Sequence, residues 1–252
     1  MIIDGYSHCG TTKFLPVEEV LVAMSHSGVD RAMLCQHMGE YDNSYLESVV
    51  RRHPDRFRAT CLVNLSTPKA VTDLRHWQAT GCFRGIRVTA ETVKQQFDLC
   101  VEAMSRGMNV VLYAPEGIAG AVQSVRRLAR ACAGSRIVIS HLGNPRVEED
   151  RLVNGDELLN LASEQDIDIL LSGLSMFCPY PYLPLHGFIR DVVAAFGADR
   201  VLWGSNFPVG GDQEAYHRDL LFVRSSELGL KESEIDQIVG GTADKVWFKK
   251  GD

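Results

Sequence analysis

The chain begins with MIIDGYSHCG (residues 1–10), and the prediction of the fold starts from this stretch. Its apolar start is typical of a buried β-strand, in which side chains alternate between the two faces with a period of two. Tyr6 and His8 are therefore predicted to lie on the same face, at the end of that strand. A first strand that ends in two reactive side chains predicts the floor of an active site, provided that further strands follow at regular spacing.

Seven further apolar segments follow, at residues 31–37, 58–65, 83–89, 108–114, 136–141, 168–173 and 201–206. Helical patterns are predicted between and after them, at 16–26, 43–53, 67–80, 92–106, 118–132, 156–164, 188–196, 214–227 and 233–248. Eight strands that alternate with helices over about 250 residues predict one (β/α)8 TIM barrel domain covering residues 1–252. No G-x-G-x-x-G motif follows the first strand, which argues against a dinucleotide-binding fold.

The amino-acid composition indicates which class of partner the protein binds and in which cellular compartment it is found. The 252 residues are 45% hydrophobic and 23% charged, with a formal net charge of -6. Because no basic patch is visible, we expect a small-molecule substrate, no nucleic acid and no membrane. The seven cysteines show no C-x-x-C spacing, which is typical of buried reduced thiols, and Asp4 interrupts any signal-peptide core. The sequence thus predicts a cytoplasmic protein, with a homodimer as an open alternative to a monomer.

In a barrel of this class, the residues that carry chemistry lie at the carboxyl ends of the strands. The polar candidates at or near those ends are Tyr6, His8, Arg84, Arg87, Tyr113, His141, Ser172 and Asn206. Two histidines that converge from the first and sixth strands favour a functional site over a structural one. Tyr180 lies in the proline-rich segment 178–184, which is predicted to be either a lid or a rigid surface loop. His37 and His186 are further residues that can reach the pocket.

These motifs resemble those of the amidohydrolase-related barrels. IDGYSH (3–8) resembles the Asp-x-His-x-His opening of that family, and ISHLG (139–143) is similar to its sixth-strand histidine followed by Leu-Gly. VLWGSNFP (201–208) is similar to its eighth-strand Gly-Ser/Thr-Asp-x-Pro. GCFRGIR (81–87) and IVGGTADKVWF (238–248) fit its fourth strand and closing helix. The resemblance runs nearly end to end and implies a TIM-barrel hydrolase.

The metal-ligand positions of that family are altered in this sequence. The resemblance implies that metal-dependent members use two first-strand histidines, a histidine of the fifth or sixth strand and an eighth-strand aspartate. Here Tyr6 replaces the first histidine, Asn206 replaces the aspartate and the fifth strand offers Tyr113. Only His8 and His141 remain as metal ligands, whereas a catalytic zinc normally has three protein ligands. The expected cofactor is therefore none, with one divalent metal ion (zinc) as the alternative.

The sequence also resembles one branch of the family, the pyrone-dicarboxylate-type lactonases. That resemblance implies catalysis without a metal ion, with arginines that hold the substrate carboxylates. Arg84 and Arg87 fall on the corresponding strand, and a guanidinium group binds a carboxylate through two parallel hydrogen bonds. For Arg84, the alternative to substrate binding is a solvent-facing salt bridge. The working hypothesis is a hydrolase of a small carboxylated lactone, ester or cyclic amide that is metal-independent or binds metal only weakly.

Within this hypothesis, His141 or His8 is the general base for water, because the pKa of imidazole is near neutrality. Asn206 and Tyr113 are expected to stabilise the developing oxyanion, with Tyr6 as a further catalytic candidate. Ser172 and Tyr180 are expected to contact the substrate together with the arginines.

Two other classes of function stay open. The first is a metal-dependent decarboxylase, in which Asp4 or Glu116 restores the ligand set. The second is a degenerate barrel that binds a small molecule or partner, or that catalyses a cyclisation or isomerisation. The loss of an acid-base carboxylate at Asn206 is the feature that favours this second class.

Overall fold

A computed structural model describes residues 1–249, and its centre is a parallel sheet of eight strands. In order around the sheet, the strands are β1 (Ile3–Ser7), β2 (Arg31–Cys35), β3 (Phe57–Cys61), β4 (Phe83–Thr89), β5 (Asn109–Tyr113), β6 (Ile137–Ile139), β9 (Ile167–Ser172) and β10 (Val201–Gly204). A separate antiparallel hairpin of β7 (Val147–Glu148) and β8 (Arg151–Leu152) lies between β6 and β9 in the chain. This hairpin was not predicted from the sequence.

The last strand lies beside the first, so that the sheet closes into a barrel. Asn206 N donates a hydrogen bond to Tyr6 O over 2.9 Å, and His8 N donates one to Phe207 O over 2.8 Å. A Cβ atom at Gly204 would lie 2.7 Å from Tyr6 Cβ, so glycine is required where β10 approaches β1. The predicted (β/α)8 TIM barrel is confirmed. The last three residues of the predicted 1–252 domain lie outside the described residues.

The helices are α1 (Val17–Ser27), α2 (Ser44–Arg52), α3 (Ala70–Ala79), α4 (Ala90–Gln95), α5 (Phe97–Ser105), α6 (Val122–Ala131), α7 (Asp156–Leu159), α8 (His186–Phe196), α9 (Gln213–Arg224) and α10 (Glu232–Asp236). The predicted helix at 92–106 is two helices, because Gln96 leaves the helical region of backbone conformation. Thr89 caps α4 by accepting a hydrogen bond from Thr92 N. The predicted helix at 156–164 is an α-helix only over its first four residues. The predicted helix at 233–248 continues after α10 with π-helical turns.

The barrel interior is filled by a small apolar cluster, which includes Ile3, Met33, Val111, Val138, Leu170, Leu202 and Trp247. Trp247 belongs to the C-terminal segment, which is attached to the amino-terminal ends of the strands by a hydrogen bond from Asn109 Nδ2 to Val246 O. This segment closes the barrel at the amino-terminal ends of the strands. The polar side chains converge at the carboxyl ends. All seven cysteines are buried and unpaired, as predicted. No helix within residues 1–249 is both long and apolar enough to cross a membrane.

Candidate active site

The side chains at the carboxyl ends of the strands converge on the ring of Tyr6. The ring centroid of Tyr6 lies 4.9 Å from that of His8 and 5.1 Å from that of His141, both in edge-to-face orientation. Tyr113, at the end of β5, lies 5.8 Å from His141. The guanidinium carbon of Arg87 lies 5.7 Å from the ring centroids of both tyrosines. The ends of β1, β4, β5 and β6 thus form one cluster.

His8 has a defined tautomer. Its Nδ1 lies 2.6 Å from Cys35 O at the end of β2, and because a carbonyl oxygen only accepts, Nδ1 carries the proton. The lone pair is therefore on Nε2. Burial lowers the pKa of His8 well below 6.5, and the charge of Arg87 lowers it further. The imidazole is neutral at physiological pH with a free Nε2, and its pKa is lower than the near-neutral value expected from the sequence, because the ring is buried beside the charge of Arg87.

His141 is held by the neighbouring strand. Its Nδ1 lies 2.8 Å from Ser172 Oγ at the end of β9. Burial lowers the pKa of His141 to about 3, and the charge of Arg87 acts in the same direction. His141 and Leu142 have φ values of 55° and 53°, in the left-handed region that residues other than glycine seldom adopt. Such strain concentrates at functional sites, where the surrounding structure maintains it.

Arg87 is a buried cation without a carboxylate partner among residues 1–249. Its side chain is 7% exposed, and Nη1 donates a hydrogen bond to Gln36 O over 2.8 Å. Its Nε has no hydrogen-bond partner, and the described groups that act on its charge are Tyr6, Cys35 and Tyr113. A buried charge is normally paired, because removing an ion from water is costly. The cluster is therefore suited to an anionic ligand.

The phenol of Tyr6 is an unused donor. Burial raises the pKa of Tyr6 well above 10.0, so its hydroxyl group stays protonated. Its Oη is buried and makes no hydrogen bond of normal geometry in the described part of the chain, although the thiol of Cys35, a weak acceptor, is close enough to affect its pKa. A buried polar group without a partner in a native protein calls for a functional explanation.

Asn206 follows β10 in a left-handed turn, with a φ of 54°. The preceding residue fixes this turn, because Ser205 N and Oγ donate hydrogen bonds of 2.9 and 2.6 Å to the carboxyl group of Asp4. Burial raises the pKa of Asp4 to about 6, against the opposing effect of these bonds. Asp4 therefore holds β1 to the loop after β10. The amide of Asn206 donates to Met176 Sδ over 3.4 Å, a weak bond that a substrate oxygen can replace.

Two clefts flank the cluster. One, of about 340 Å³, is lined by Arg87 together with Met38, Tyr41, Leu65, Thr89 and Glu91. The other, of about 390 Å³, is lined by Tyr113 together with Glu116, Asn144, Asn154, Met176 and Phe177. Each cleft includes one residue of the cluster, Arg87 in the first and Tyr113 in the second, so a ligand bound in either cleft contacts the edge of the cluster.

The structure brings together seven of the nine residues that the sequence predicted for the site: Tyr6, His8, Arg87, Tyr113, His141, Ser172 and Asn206. It does not bring Arg84 to them, because Arg84 stands at the start of β4 and lines a cavity at the amino-terminal end of the barrel. Nor does it bring Tyr180, which is 47% exposed and contacts Tyr182 and Arg218.

The two additional histidines differ in position. His37 lies near the cluster, with its ring 5.3 Å from Phe14, which stacks on His8. His186 lies outside the cluster, where its Nε2 is 2.7 Å from Pro181 O.

Four residues that shape the site were not predicted from the sequence: Phe14, Gln36, Gly173 and Met176. Phe14 covers His8, with ring centroids 4.8 Å apart, and Gln36 binds Arg87 through its carbonyl oxygen. A Cβ atom at Gly173 would lie 2.9 Å from His141 Nδ1. The position of Gly173 as the last residue of the seventh predicted strand was a usable signal. The other three act through loop conformation or backbone atoms, which a side-chain pattern does not reveal.

Comparison with known proteins shows the family of this barrel. A model of the amidohydrolase family matches residues 6–249. The chain belongs to the amidohydrolase family. This amidohydrolase is 26% identical to L-fucono-1,5-lactonase of Burkholderia ambifaria over 199 residues, which cover 74% of this chain and 67% of that protein. Family and relative together identify it as a hydrolase.

Two solved structures share its fold. A proposed 2-pyrone-4,6-dicarboxylic acid hydrolase from Pseudomonas putida is 21% identical, with a TM-score of 0.79 over 97% of this chain and 96% of that one. An amidohydrolase from Burkholderia multivorans, crystallised with bound zinc, is 17% identical, with a TM-score of 0.77 over 98% of both chains. At these identities the likeness extends to the fold alone.

The donor groups of this amidohydrolase do not match a three-ligand metal site. No three His, Cys, Asp or Glu side chains within residues 1–249 are grouped so that they could hold a metal ion. The cluster supplies two imidazoles and the amide of Asn206, and a neutral amide is a weak ligand for zinc. The ring of Tyr6 packs against both imidazoles, and the guanidinium of Arg87 repels a cation.

Proposed function

We propose that this amidohydrolase hydrolyses a small carboxylated lactone, and that the reaction does not depend on a bound metal ion. Esters and cyclic amides with a carboxylate are the related substrates. The observation that carries the proposal is the buried Arg87, which has no carboxylate partner in the described chain and lies beside two neutral imidazoles. A lactonase relative and a structural relative named for a pyrone-dicarboxylate substrate support the choice of a lactone.

Arg87 binds the carboxylate of the substrate. Its Nη1 already donates a hydrogen bond to Gln36 O, so the remaining guanidinium hydrogens are the donors for the substrate. Hydrogen bonds between two charged groups are about twice as strong as neutral ones, and a buried pair is little screened by salt. This contact positions the lactone carbonyl near the histidines, which converts a bimolecular encounter into an oriented one.

His8 acts as the general base. The bond from Nδ1 to Cys35 O leaves the lone pair on Nε2, whereas Ser172 Oγ can either donate to or accept from His141. Nε2 of His8 removes a proton from water as the water oxygen bonds to the lactone carbonyl carbon. When the ring C–O bond breaks, the leaving alkoxide takes that proton, so the imidazole returns to its neutral form. The product is a hydroxy acid.

The neutral donors around the cluster stabilise the oxyanion of the tetrahedral intermediate. Tyr6 offers a protonated phenol whose one nearby acceptor is the weakly accepting thiol of Cys35, and Tyr113 offers a second phenol at the same distance from Arg87. The amide of Asn206 can exchange its weak bond to Met176 for one to the oxyanion. Preorganised donors of this kind contribute about 10²–10³ each in kcat.

The test is hydrolysis of a panel of lactones with and without a carboxylate, using the His8→Asn and His141→Asn variants. We expect turnover only of carboxylated lactones, and a loss of about 10²–10⁴ in kcat for His8→Asn. The matched control is His76→Asn, because His76 is an exposed histidine on α3. Full activity of His8→Asn would contradict its role as the base, and equal turnover of uncharged lactones would contradict the role of Arg87.

Metal independence is tested by elemental analysis of protein purified without a chelator. We expect zinc and manganese far below one equivalent, and unchanged turnover after treatment with a chelator. About one equivalent of metal, with activity lost on its removal, would contradict metal independence and favour the metal-dependent decarboxylase or hydrolase.

A further inference from the structure

Arg84 lines a cavity that is separate from the candidate active site. The cavity has a volume of about 410 Å³ and is lined by Val50, Arg51, Pro54, Arg58, Thr80, Gly81, Cys82 and Arg84. These residues come from the end of α2, the start of β3, the end of α3 and the start of β4, so the cavity opens at the amino-terminal end of the barrel. Three of the eight lining residues are arginines, and none is acidic.

The backbone directs Arg84 towards this cavity. In the pairing of β3 with β4, Ala59 is opposite Phe83 and Thr60 is opposite Gly85, so Arg84 is an extra residue in β4. A β-bulge of this kind changes the direction of a side chain and is usually a maintained feature of a fold. The Nε of Arg84 is buried and has no hydrogen-bond partner within residues 1–249.

Arg58 is the second arginine of this cavity that has no acidic partner among residues 1–249. Its Nη1 donates to Pro54 O and to Phe57 O, two neutral carbonyl groups. Burial lowers the pKa of Arg58, and the charges of Arg84 and Arg31 lower it further, while Asp55 opposes them without forming an ion pair. Arg51 is already paired with Glu47 over 2.7 Å and therefore contributes less.

We propose that Arg58 and Arg84 form a binding site for a small multivalent oxyanion, of the class of phosphate, at the end of the barrel opposite the active site. Two guanidinium groups that repel each other across a polar cavity are stabilised by an anion that accepts hydrogen bonds from both. Thr80 and Gly81 at the end of α3 provide the wall of the site. This site does not depend on the proposed lactone hydrolysis.

The test is calorimetric titration of the protein with inorganic phosphate at constant ionic strength, combined with thermal unfolding in phosphate, sulfate and acetate. We expect saturable binding with one equivalent of phosphate, and a higher Tm in phosphate and sulfate than in acetate. Arg84→Gln and Arg58→Gln should each weaken phosphate binding about 10- to 100-fold, because each removes charge-assisted hydrogen bonds. Circular dichroism establishes that each variant is folded.

Two controls make the test specific. Arg190→Gln removes an exposed arginine of α8 that does not line the cavity, and Arg87→Gln removes the buried cation of the active site. Arg190→Gln should bind phosphate with the affinity of the unaltered protein, and Arg87→Gln should keep the equivalent that Arg58→Gln and Arg84→Gln weaken, losing only phosphate bound in the active site. The proposal is overturned if Arg58→Gln and Arg84→Gln bind phosphate normally, if only Arg87→Gln loses binding, or if acetate protects as well as phosphate.

Discussion

Arg84 and Arg87 are three residues apart on β4, yet they line cavities at opposite ends of the barrel. The bulge at Arg84 and the inward direction of Arg87 separate the two guanidinium groups. Neither has a carboxylate partner among residues 1–249. One short strand therefore presents two unpaired cations to two different environments.

This separation predicts that the same substitution affects activity at one position and not at the other. Arg87→Gln should lower kcat/KM for a carboxylated lactone by about 10²-fold or more, because a buried charged hydrogen bond contributes roughly 2–5 kcal/mol. Arg84→Gln should leave kcat/KM unchanged. The measurement is steady-state hydrolysis with both purified variants. An equal loss in both would show that the two residues act on the same substrate.

The pH profile of activity should reflect the lowered pKa values of the histidines. Since His8 and His141 are neutral well below pH 6.5, we expect kcat/KM to stay constant as the pH is lowered from about 8 to about 6. Removal of the positive charge in Arg87→Gln should raise the pKa of both histidines and move the acid limb to higher pH. Titration of the imidazole signals by NMR gives the same comparison without substrate, and unchanged titration in the variant would contradict the effect.

The contribution of the two histidines to protein stability should decrease in acid for the same reason. Below pH 6.5 the unfolded chain protonates both histidines, while folded His141 stays neutral to about pH 3. Their contribution to the free energy of unfolding is therefore present above pH 6.5 and falls with pH, by at most about 1.4 kcal/mol per pH unit for each histidine.

Asp4 acts in the opposite direction, because its pKa of about 6 is above the ordinary 3.8 and its contribution is lost as the pH rises through 6. Urea unfolding between about pH 7 and about pH 4.5 measures the sum of these effects, to which Asp168 and Asp219 contribute in the same direction as Asp4, because burial raises their pKa values as well. The change in the free energy of unfolding with pH should be smaller in His141→Asn than in the unaltered protein. An identical change in that variant would mean that His141 is not neutral in the folded protein.

Gly173 should be intolerant of a side chain. Its φ is 63°, and a Cβ atom there would lie 2.9 Å from both His141 Nδ1 and Met176 Sδ. Gly173→Ala should destabilise the protein by about 1–3 kcal/mol and reduce kcat at least about tenfold, because His141 and Asn206 must shift. The control is Gly229→Ala, which has the same φ of 63° but no neighbouring atom within 4 Å.

Gly229→Ala should show only the backbone cost, about 1 kcal/mol, with full activity. Thermal unfolding and steady-state kinetics measure both variants. Equal loss of activity in the two would indicate that backbone strain, rather than contact with His141 and Asn206, determines the effect.

Much of the architecture was predictable because it depends on local patterns. Apolar runs buried on both faces identify parallel strands, and Gly28 and Pro54 mark where helices stop. The break at Gln96 was not predictable, because the apolar pattern of the predicted helix at 92–106 continues through this residue. The β7–β8 hairpin was missed because two-residue strands carry no periodicity.

The candidate site was partly predictable for a similar reason. In a parallel barrel every strand ends on the same face, so the position of His8, Tyr113, His141 and Asn206 in the sequence is also a position in space. The same rule misplaced Arg84, because its side chain stands at the beginning of β4 and a bulge changes its direction. Tyr180 was misplaced because the path of a proline-rich loop depends on what it packs against, here Tyr182 and Arg218.

The sequence by itself determined the barrel, the order of its strands and which side chains meet at their carboxyl ends, because these follow from strand periodicity and parallel pairing. The tertiary structure alone decided the chemical state of those side chains. The tautomer of His8 depends on Cys35 O, its neutrality on burial beside Arg87, and the donor capacity of Tyr6 on the lack of a hydrogen bond of normal geometry within residues 1–249. Proton affinity is set by solvent exclusion and by charges from distant parts of the chain, which come together only when the barrel closes.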